Sequence, residues 1–473
     1  MATLTMKFGG TSVGSAEAIA RVADIVQEAA REHRVLVVCS AMSGVTNLLI
    51  EAAQRAAAGD SARYQVIAQE LRQKHEAAIR ALLTSDVERI AIHDEVEALI
   101  DEFETLCYGI YVLREASPKA MDKVASLGER MSVPIVSALL RQRGVPSCTV
   151  SASRLIVTDD QFQNAGVLFE ESEANVRREL LPLLDQGLVP VVTGFIGATR
   201  DGVVTTLGRG GSDYSAALLG AYVDSDEVWI WTDVDGVMTA DPRLVPDARV
   251  IPVLSYGEVG EMAYFGAKVL HSKTVQPLVE RNIPVRVKNT FNPQAEGTLI
   301  VRDERETPGT VKAVTAIRDV SLITVAGRGM IGVPGIAART FSAVAKRQAN
   351  VLMIAQSSSE QSICFVVPEA KSREVVAAIQ SELEAEFGRQ DIDRAWADDD
   401  VEIITVVGVG MLRKHGVAAR VFGALGEAGV NILAIAHGAS DYCVSMVVRS
   451  RDTEKGVRAI HKLVVLNGGS TKA

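Results

Sequence analysis

Two glycine-rich runs carry the chemistry open to this chain. The first is Lys7-Phe8-Gly9-Gly10-Thr11-Ser12-Val13, which leaves an apolar, strand-like start and enters a helical pattern. Adjacent glycines let the backbone approach a polyanion, the helix that follows offers unpaired N–H groups and the positive end of its dipole, and Lys7 adds a point charge. The lysine precedes the glycines, so this is not the G-x-x-x-x-G-K-[ST] loop and the fold is not that of the P-loop enzymes. The second run, Thr205-Thr206-Leu207-Gly208-Arg209-Gly210-Gly211-Ser212-Asp213-Tyr214-Ser215, also opens onto a helix and brings an arginine able to grip a carboxylate bidentately. Four segments add to these: Cys39 to Asn47, rich in small hydroxyl residues; Leu127-Gly128-Glu129-Arg130-Met131-Ser132, with a carboxylate at a helix start; Trp231 to Thr239 followed by Asp241-Pro242-Arg243; and Phe265-Gly266-Ala267-Lys268-Val269-Leu270-His271, with a second lysine. Taken singly, each also reads as a turn or, for Glu129, as an ordinary first-turn acid. Together, two phosphate-type loops, two lysines, an arginine and several acids suggest phosphoryl transfer, where catalysis is mostly positioning and charge neutralisation. A carboxylate acceptor would need no general base, which leaves His271 a structural role.

The elements that must position these groups alternate. Strand candidates at Val35–Val38, Leu188–Val192, Glu227–Trp231 and Pro284–Val287 are continuous apolar runs, with helical patterns such as Ala16–Ala30 and Ser212–Tyr222 between them. That arrangement implies an α/β domain with a largely parallel sheet covered on both faces. From Gly59 to Ser132 the pattern is helical without interruption, and Phe291 to Lys312 looks like a domain edge. Beyond it the chain repeats itself: Ser321–Val367 superposes without a gap on Glu402–Val448 at an offset of 81, with nineteen of 47 pairs identical. Each copy reads strand, glycine turn, helix, strand, turn, strand, helix, the ferredoxin-like pattern. The run Asp398-Asp399-Asp400 between the copies reads as a solvated linker rather than a metal site.

With 473 residues, 48% apolar and 23% charged, the composition is that of a globular protein of two to four domains. A net charge of −10 and a pI near 5.4 argue against nucleic acid or an anionic membrane surface as partner. Five scattered cysteines with no C-x-x-C fit a reducing compartment. No apolar run approaches membrane-spanning length and the chain reaches a strand at once, so it reads as cytoplasmic.

The motifs Lys7 to Val13, Gly208 to Tyr214, Thr232-Asp233-Val234-Asp235-Gly236 and Gly266 to His271, in this order, resemble those of the aspartokinases of the amino-acid-kinase fold, and the repeat resembles their tandem ACT domains. The resemblance covers essentially the whole chain. It implies a catalytic domain over residues 1–305, a first ACT domain over 315–395 and a second over 396–473, whose C-terminal segment is a candidate to complete the sheet of the first. The implied reaction passes the ATP γ-phosphoryl group to the β-carboxylate of L-aspartate, the first step toward lysine, threonine and methionine. Carried over by motif, Lys7, Lys268 and Asp213 would form the catalytic set, and Gly9, Gly10, Ser12, Thr232, Asp233, Arg243 and Val269 would join the lysines around ATP. Ser40, Thr46, Glu129, Phe195, Arg209, Gly210, Gly211 and Ser212 would bind aspartate, with Glu129 on its ammonium and Arg209 on its α-carboxylate. Mg²⁺ would arrive on the ATP phosphates rather than on protein ligands. Met238 stands where the family usually has tyrosine, which puts a phenol contact to the nucleotide in doubt.

The repeat looks most like the regulatory half of threonine-sensitive aspartokinase–homoserine dehydrogenases, although Lys455 to Lys462 closes the second copy and leaves no room for the dehydrogenase. An effector site is implied around Gln356, with Asn350 and Ile354. In the second copy His437, near Asn431, replaces the expected second glutamine, so that site could be lost, altered or pH-sensitive. Threonine is the expected inhibitor and lysine the runner-up. Open ACT edges predict self-association, with a homodimer as the minimum. Two other readings stay open: a kinase of the same fold acting on glutamate, acetylglutamate or UMP, and an amino-acid sensor without turnover.

Overall fold

The computed structural model describes residues 1–265, 270, 272–302, 311–331, 333–356, 361–411, 413–437 and 441–467. They fall into two compact units.

The first unit comprises residues 1–237, 252–256 and 270–303. Its eight-stranded sheet runs, in spatial order, Ser147–Val150, Val189–Thr193, Arg34–Cys39, Thr3–Phe8, Glu227–Thr232, Val285–Asn289, Thr298–Val301 and Val253–Ser255. Neighbours are parallel except for Val285–Asn289 beside Thr298–Val301. All six residues of Thr3–Phe8 are buried, as a strand covered on both faces requires. Thr5, polar in that setting, has its hydroxyl 2.8 Å from that of Ser225. The uninterrupted helical stretch folds as Ser61–Leu82, Asp86–Leu113, Pro118–Ala125 and Leu127–Gln142. The starts of the first three are set by local chemistry: the Asp60, Ser85 and Ser117 side chains each accept an N–H three residues on. Ile67, Leu71, Ile100 and Phe103 join these helices to the sheet in one core.

The second unit comprises residues 238–251 and 257–269 together with the chain from 304 onward. Part of the stretch expected in the catalytic domain therefore packs with the repeats. Its antiparallel six-stranded sheet has the order Met353–Gln356, Ser362–Pro368, Ala313–Ala326, Arg394–Val407, Cys443–Arg449, Ile432–Ala436. The two central strands each have 14 residues and pair along their whole length, from Ala313 with Val407 to Ala326 with Arg394. Both ends obey the repeat offset (394 − 313 = 81; 407 − 326 = 81), so the sheet has a pseudo-twofold axis between them. The pairing is irregular between Ile317 and Leu322, where Asp319 adopts φ 56°.

This corrects the reading of Asp398–Asp400 as a linker. They lie inside the strand Arg394–Val407, where Asp398 meets Arg449 at 2.8 Å and Asp399 accepts from the Ser321 hydroxyl at 2.5 Å. The position expected to divide the ACT domains, 395/396, falls within the same strand. No described helix is long and apolar enough to cross a membrane.

Candidate active site

A cleft of about 570 Å³ opens at the C-terminal ends of the parallel strands in the first unit. Binding crevices of open parallel sheets form there, where neighbouring strands send their connections in opposite directions. Lys7 comes from Thr3–Phe8, Ser40 follows Arg34–Cys39, Phe195 follows Val189–Thr193, and Thr232 ends Glu227–Thr232 with Asp233 beside it. Gly9, Gly10 and Thr46 complete one wall, and Arg209, Gly210, Gly211, Ser212 and Asp213 another.

Two helix starts face this space without side-chain caps. Val45–Ala57 begins after Gly44 and Gly211–Tyr222 after Gly210, and both glycines adopt the left-handed conformation. Their free N–H groups and dipoles favour anions. Gly10 packs so closely that an added Cβ would lie 3.2 Å from the Ala41 carbonyl oxygen. Phe195 carries an unusual φ of 68° for a bulky residue. That conformation is secured by its N–H, which donates to Ser215 Oγ at 2.9 Å.

The charges are arranged unevenly. Lys7 Nζ lies 2.6 Å from Asp213 Oδ1, with both side chains largely buried. Arg209 is exposed, with no ion-pair partner among the described residues. Glu129 is 3% exposed on the first turn of Leu127–Gln142, and its Oε2 has no hydrogen-bond partner among the described residues. Burial pushes its carboxyl up to about 8, opposed by the N–H groups of Ala41 and of Glu129 itself and by Lys7. The helix reaches Ala41 because residue 128 is glycine: a Cβ there would come within 2.7 Å of the Ala41 Cβ. The Ser132 hydroxyl donates to the Ser40 carbonyl at 2.8 Å and fixes the helix to the strand end. Burial also raises the Cys39 thiol to about 12, which excludes it as a thiolate nucleophile near neutral pH.

Not every expected residue lines the cleft. Ser12 is fully buried; its hydroxyl lies 2.7 Å from that of Thr290 and donates to the Trp231 carbonyl, so it braces the loop rather than facing a phosphate. Arg243 belongs to the second unit, where it forks onto Asp241. Lys268, Val269 and His271 lie outside the described residues.

Thr11, Met42, Ser43 and Asn47 also line the cleft; they fall within the runs picked out from sequence, where they were given no individual role. Asp122, which works behind the cleft, was not singled out. Asp122 is 1% exposed; its carboxylate accepts the N–H and hydroxyl of Thr206 and the N–H of Gln163, each within 2.9 Å, setting the hairpin that leads into the Gly208 loop. Asn289 and Asn292 donate to Asp235 at 2.8 and 3.1 Å and shape the turn after Asp233.

In the second unit Gln356 lines a cavity of about 340 Å³ with Met330, Pro334, Ile336 and Ile363. Asn350 and Ile354 are exposed, as are Asn431 and His437.

Comparison with known proteins places these features. The model of the amino acid kinase family matches residues 3–289, and that of the ACT domain matches 323–383 and 404–463. The chain is 36% identical over 467 residues to bifunctional aspartokinase/homoserine dehydrogenase 1, chloroplastic, of Zea mays, covering 98% of this chain and 50% of that one. It thus spans about half the length of such bifunctional relatives. Aspartokinase 1, chloroplastic, of Arabidopsis thaliana is 34% identical over 467 residues, covering 97% and 80%. The crystal structure of E. coli aspartokinase III in complex with aspartate and ADP superposes with a TM-score of 0.81 at 32% identity, covering 98% and 100%.

Proposed function

This chain belongs to the amino acid kinase family and, within it, to the aspartokinases; from that premise we propose that it transfers the γ-phosphoryl group of ATP to the β-carboxylate of L-aspartate, giving 4-phospho-L-aspartate and ADP. The observation that carries the reading is the pairing of Glu129 and Arg209 in one cleft with Lys7. A buried carboxyl with an open oxygen suits an α-ammonium, and an exposed guanidinium suits an α-carboxylate. The β-carboxylate of such a ligand is then the group left to face the phosphoryl donor. As an ionised nucleophile it gives up no proton, so the site needs charge compensation rather than a base.

Lys7 supplies that compensation, and Asp213 orients it through the 2.6 Å ion pair. The two uncapped helix starts and the close-packed Gly9–Gly10 backbone receive the phosphates, and Thr232 with Asp233 takes the nucleotide. Arg243 and Lys268 are the further nucleotide contacts that the family motifs imply. Mg²⁺ would arrive on the nucleotide and would supply charge neutralisation at its phosphates.

The repeats act as an amino-acid sensor with Gln356 at its cavity. Threonine is the proposed inhibitor; lysine, which occupies a solved complex of E. coli aspartokinase III, is the alternative. The exposed Ile354 and Ile435 on the two edge strands support self-association, with a homodimer as the minimum, and the cytoplasm is the proposed compartment.

The test is ADP release with Mg-ATP and a panel of acceptors, the acyl phosphate being trapped as a hydroxamate. Aspartate-dependent hydroxamate that falls with added threonine supports the reading. Turnover only with glutamate, acetylglutamate or UMP, or none at all, overturns it.

A further inference from the structure

Glu129 and Arg209 come from separate parts of the first unit, and one buried side chain ties those parts together. Arg209 lies three residues beyond the hairpin formed by Ile196–Thr199 and Val204–Thr206, and Glu129 is in the first turn of Leu127–Gln142. Asp122 stands on Pro118–Ala125, the helix that leads through Ser126 directly into Leu127–Gln142.

On the hairpin side, the Asp122 carboxylate accepts the Thr206 N–H at 2.9 Å, the Thr206 hydroxyl at 2.8 Å and the Gln163 N–H at 2.9 Å. The chain on either side of these contacts is fastened in turn: the Thr206 carbonyl accepts the Ala165 N–H, and the Leu207 N–H donates to the Phe195 carbonyl, both at 3.0 Å. Gln163 holds a φ of 73°, unusual for a residue with a side chain, and its N–H is the one Asp122 takes. The next residue, Asn164, closes on the loop itself, since a Cβ at Gly208 would lie 2.7 Å from its Oδ1. Arg209 therefore leaves from a stretch of backbone whose last anchored point is the Asp122 carboxylate.

On the helix side, the Asp122 carbonyl accepts the Ser126 N–H at 3.0 Å, and the Ser126 hydroxyl donates to the Lys123 carbonyl at 2.8 Å, which fixes the bend between the two helices. Glu102, on Asp86–Leu113, clamps the same pair from outside: it meets Lys123, beside Asp122, at 2.6 Å and Arg130, beside Glu129, at 3.0 Å. Asp122 itself has no ion-pair partner among the described residues, and burial pushes its carboxyl up against the pull of its three hydrogen bonds. A buried carboxylate held in this way adds little to stability. What it does is fix a geometry.

We propose that Asp122 is a positioning residue for the amino-acid acceptor: it joins the hairpin that delivers Arg209 to the helices that deliver Glu129, and so sets the span between the two charges that grip the acceptor's head group. This rests on the reading of Glu129 and Arg209 as the ammonium and α-carboxylate contacts of aspartate. The start of Gly211–Tyr222, which faces the phosphates, is anchored separately, because Ser215 donates to the Gly211 carbonyl and accepts the Phe195 N–H, each at 2.9 Å. Loss of Asp122 therefore falls on the acceptor and spares the nucleotide.

The experiment uses the full chain with Asp122→Ala, Asp122→Asn and Thr158→Val. Asp122→Ala raises the KM for aspartate about tenfold while the KM for ATP moves less than twofold. Asp122→Asn restores most of the affinity, because its oxygen can accept both N–H groups and its nitrogen can donate to the Thr206 hydroxyl. Thr158→Val is the structural control: it removes a 2.7 Å contact to the Thr205 hydroxyl in the same hairpin without touching the helices, and it lowers Tm but leaves the KM for aspartate within twofold. Should Asp122→Ala fail to fold by circular dichroism, Thr206→Val removes one of the three bonds and gives the same split at about threefold. An unchanged KM for aspartate in the folded variants overturns the proposal. So does a parallel rise in both KM values, or an equal rise in Thr158→Val, which is what a purely structural role produces. Wild-type protein with no aspartate-dependent turnover overturns both this proposal and the kinase reading, whereas normal wild-type turnover with indifferent Asp122 variants overturns this proposal alone.

Discussion

The cleft of the first unit and the sheet of the second treat their polar groups in opposite ways. In the cleft a carboxylate is buried with one oxygen open, two helices begin without caps, an arginine lacks an ion-pair partner among the described residues, and a phenylalanine occupies a left-handed conformation. In the second unit the corresponding groups are paired: Asp398 with Arg449, Asp399 with Ser321, and, beside the sheet, Lys312 with Glu258 at 2.8 Å in a nearly water-free setting. The difference separates a surface kept ready for a charged ligand from a frame that must keep its shape. Substitutions in the cleft should therefore cost activity and spare or improve stability, and those in the sheet the reverse.

The largest effect should come from Lys7→Ala, which removes the cation proposed to meet the phosphates; we expect kcat to fall by about a thousandfold or more. A variant retaining a tenth of wild-type turnover in the hydroxamate assay would erase the contrast. Next is Glu129→Gln, which should raise the KM for aspartate about a hundredfold by removing the charge that meets the ammonium.

The same substitution should stabilise the free protein. Because the folded Glu129 titrates near 8 and the unfolded carboxyl near 4.5, the native state binds the extra proton and loses stability as pH rises between those values. At pH 7 that cost is on the order of 3 kcal/mol, so the Tm of Glu129→Gln should exceed wild type at pH 7 and converge with it near pH 4. In the wild type, only ionised Glu129 receives the ammonium. The KM for aspartate should therefore fall about tenfold per pH unit from 6 to 7 and level off above 8.

In the second unit the order reverses. Lys312→Ala separates a buried carboxylate from its cation and should destabilise the protein by about 3 kcal/mol, read from denaturant melts, while kcat stays within about twofold of wild type in the surviving folded fraction. The smallest effects divide the two repeats. Gln356→Ala should abolish the proposed effector inhibition without changing basal turnover, whereas His437→Ala, where the second copy replaces that glutamine with an imidazole, should alter the inhibitor's half-maximal concentration by no more than about threefold. Equal losses at both positions would make the repeats equivalent sensors and remove the asymmetry.

What could be read from sequence follows how local each requirement is. Lys7, the paired glycines and Arg209 were legible because their chemistry lies within a few residues of a strand end. Ser12 was misjudged because a hydroxyl after two glycines resembles a phosphate ligand, yet the turn directs it inward to Thr290, 278 residues away. Asp122 offers no local sign at all; its partner Thr206 is 84 residues on.

The repeat was visible through identity, which extends into the leading half of each central strand at Ala316/Ala397, Asp319/Asp400 and Val320/Val401, but identity alone did not show that the two strands pair with each other. Asp398–Asp400 looked solvated because three charges rarely sit in a strand. Here the pseudo-twofold axis brings Ser321 and Arg449 to meet two of them. The allegiance of residues 238–251 was hidden for the same reason: Thr239 meets its partner His461 across 222 residues.

The backbone crosses between the two units at 237/238, 251/252, 256/257, 269/270 and 303/304. An engineer seeking to free the proposed kinase from its proposed feedback cannot do it with one cut. A fragment ending near residue 303 would carry Ala240 and Val245 stripped of the apolar neighbours that cover them, and Thr239 without His461. Relief from the proposed inhibition has to come from point substitutions that leave the sheet standing, so variants that escape it should be full-length far more often than truncated.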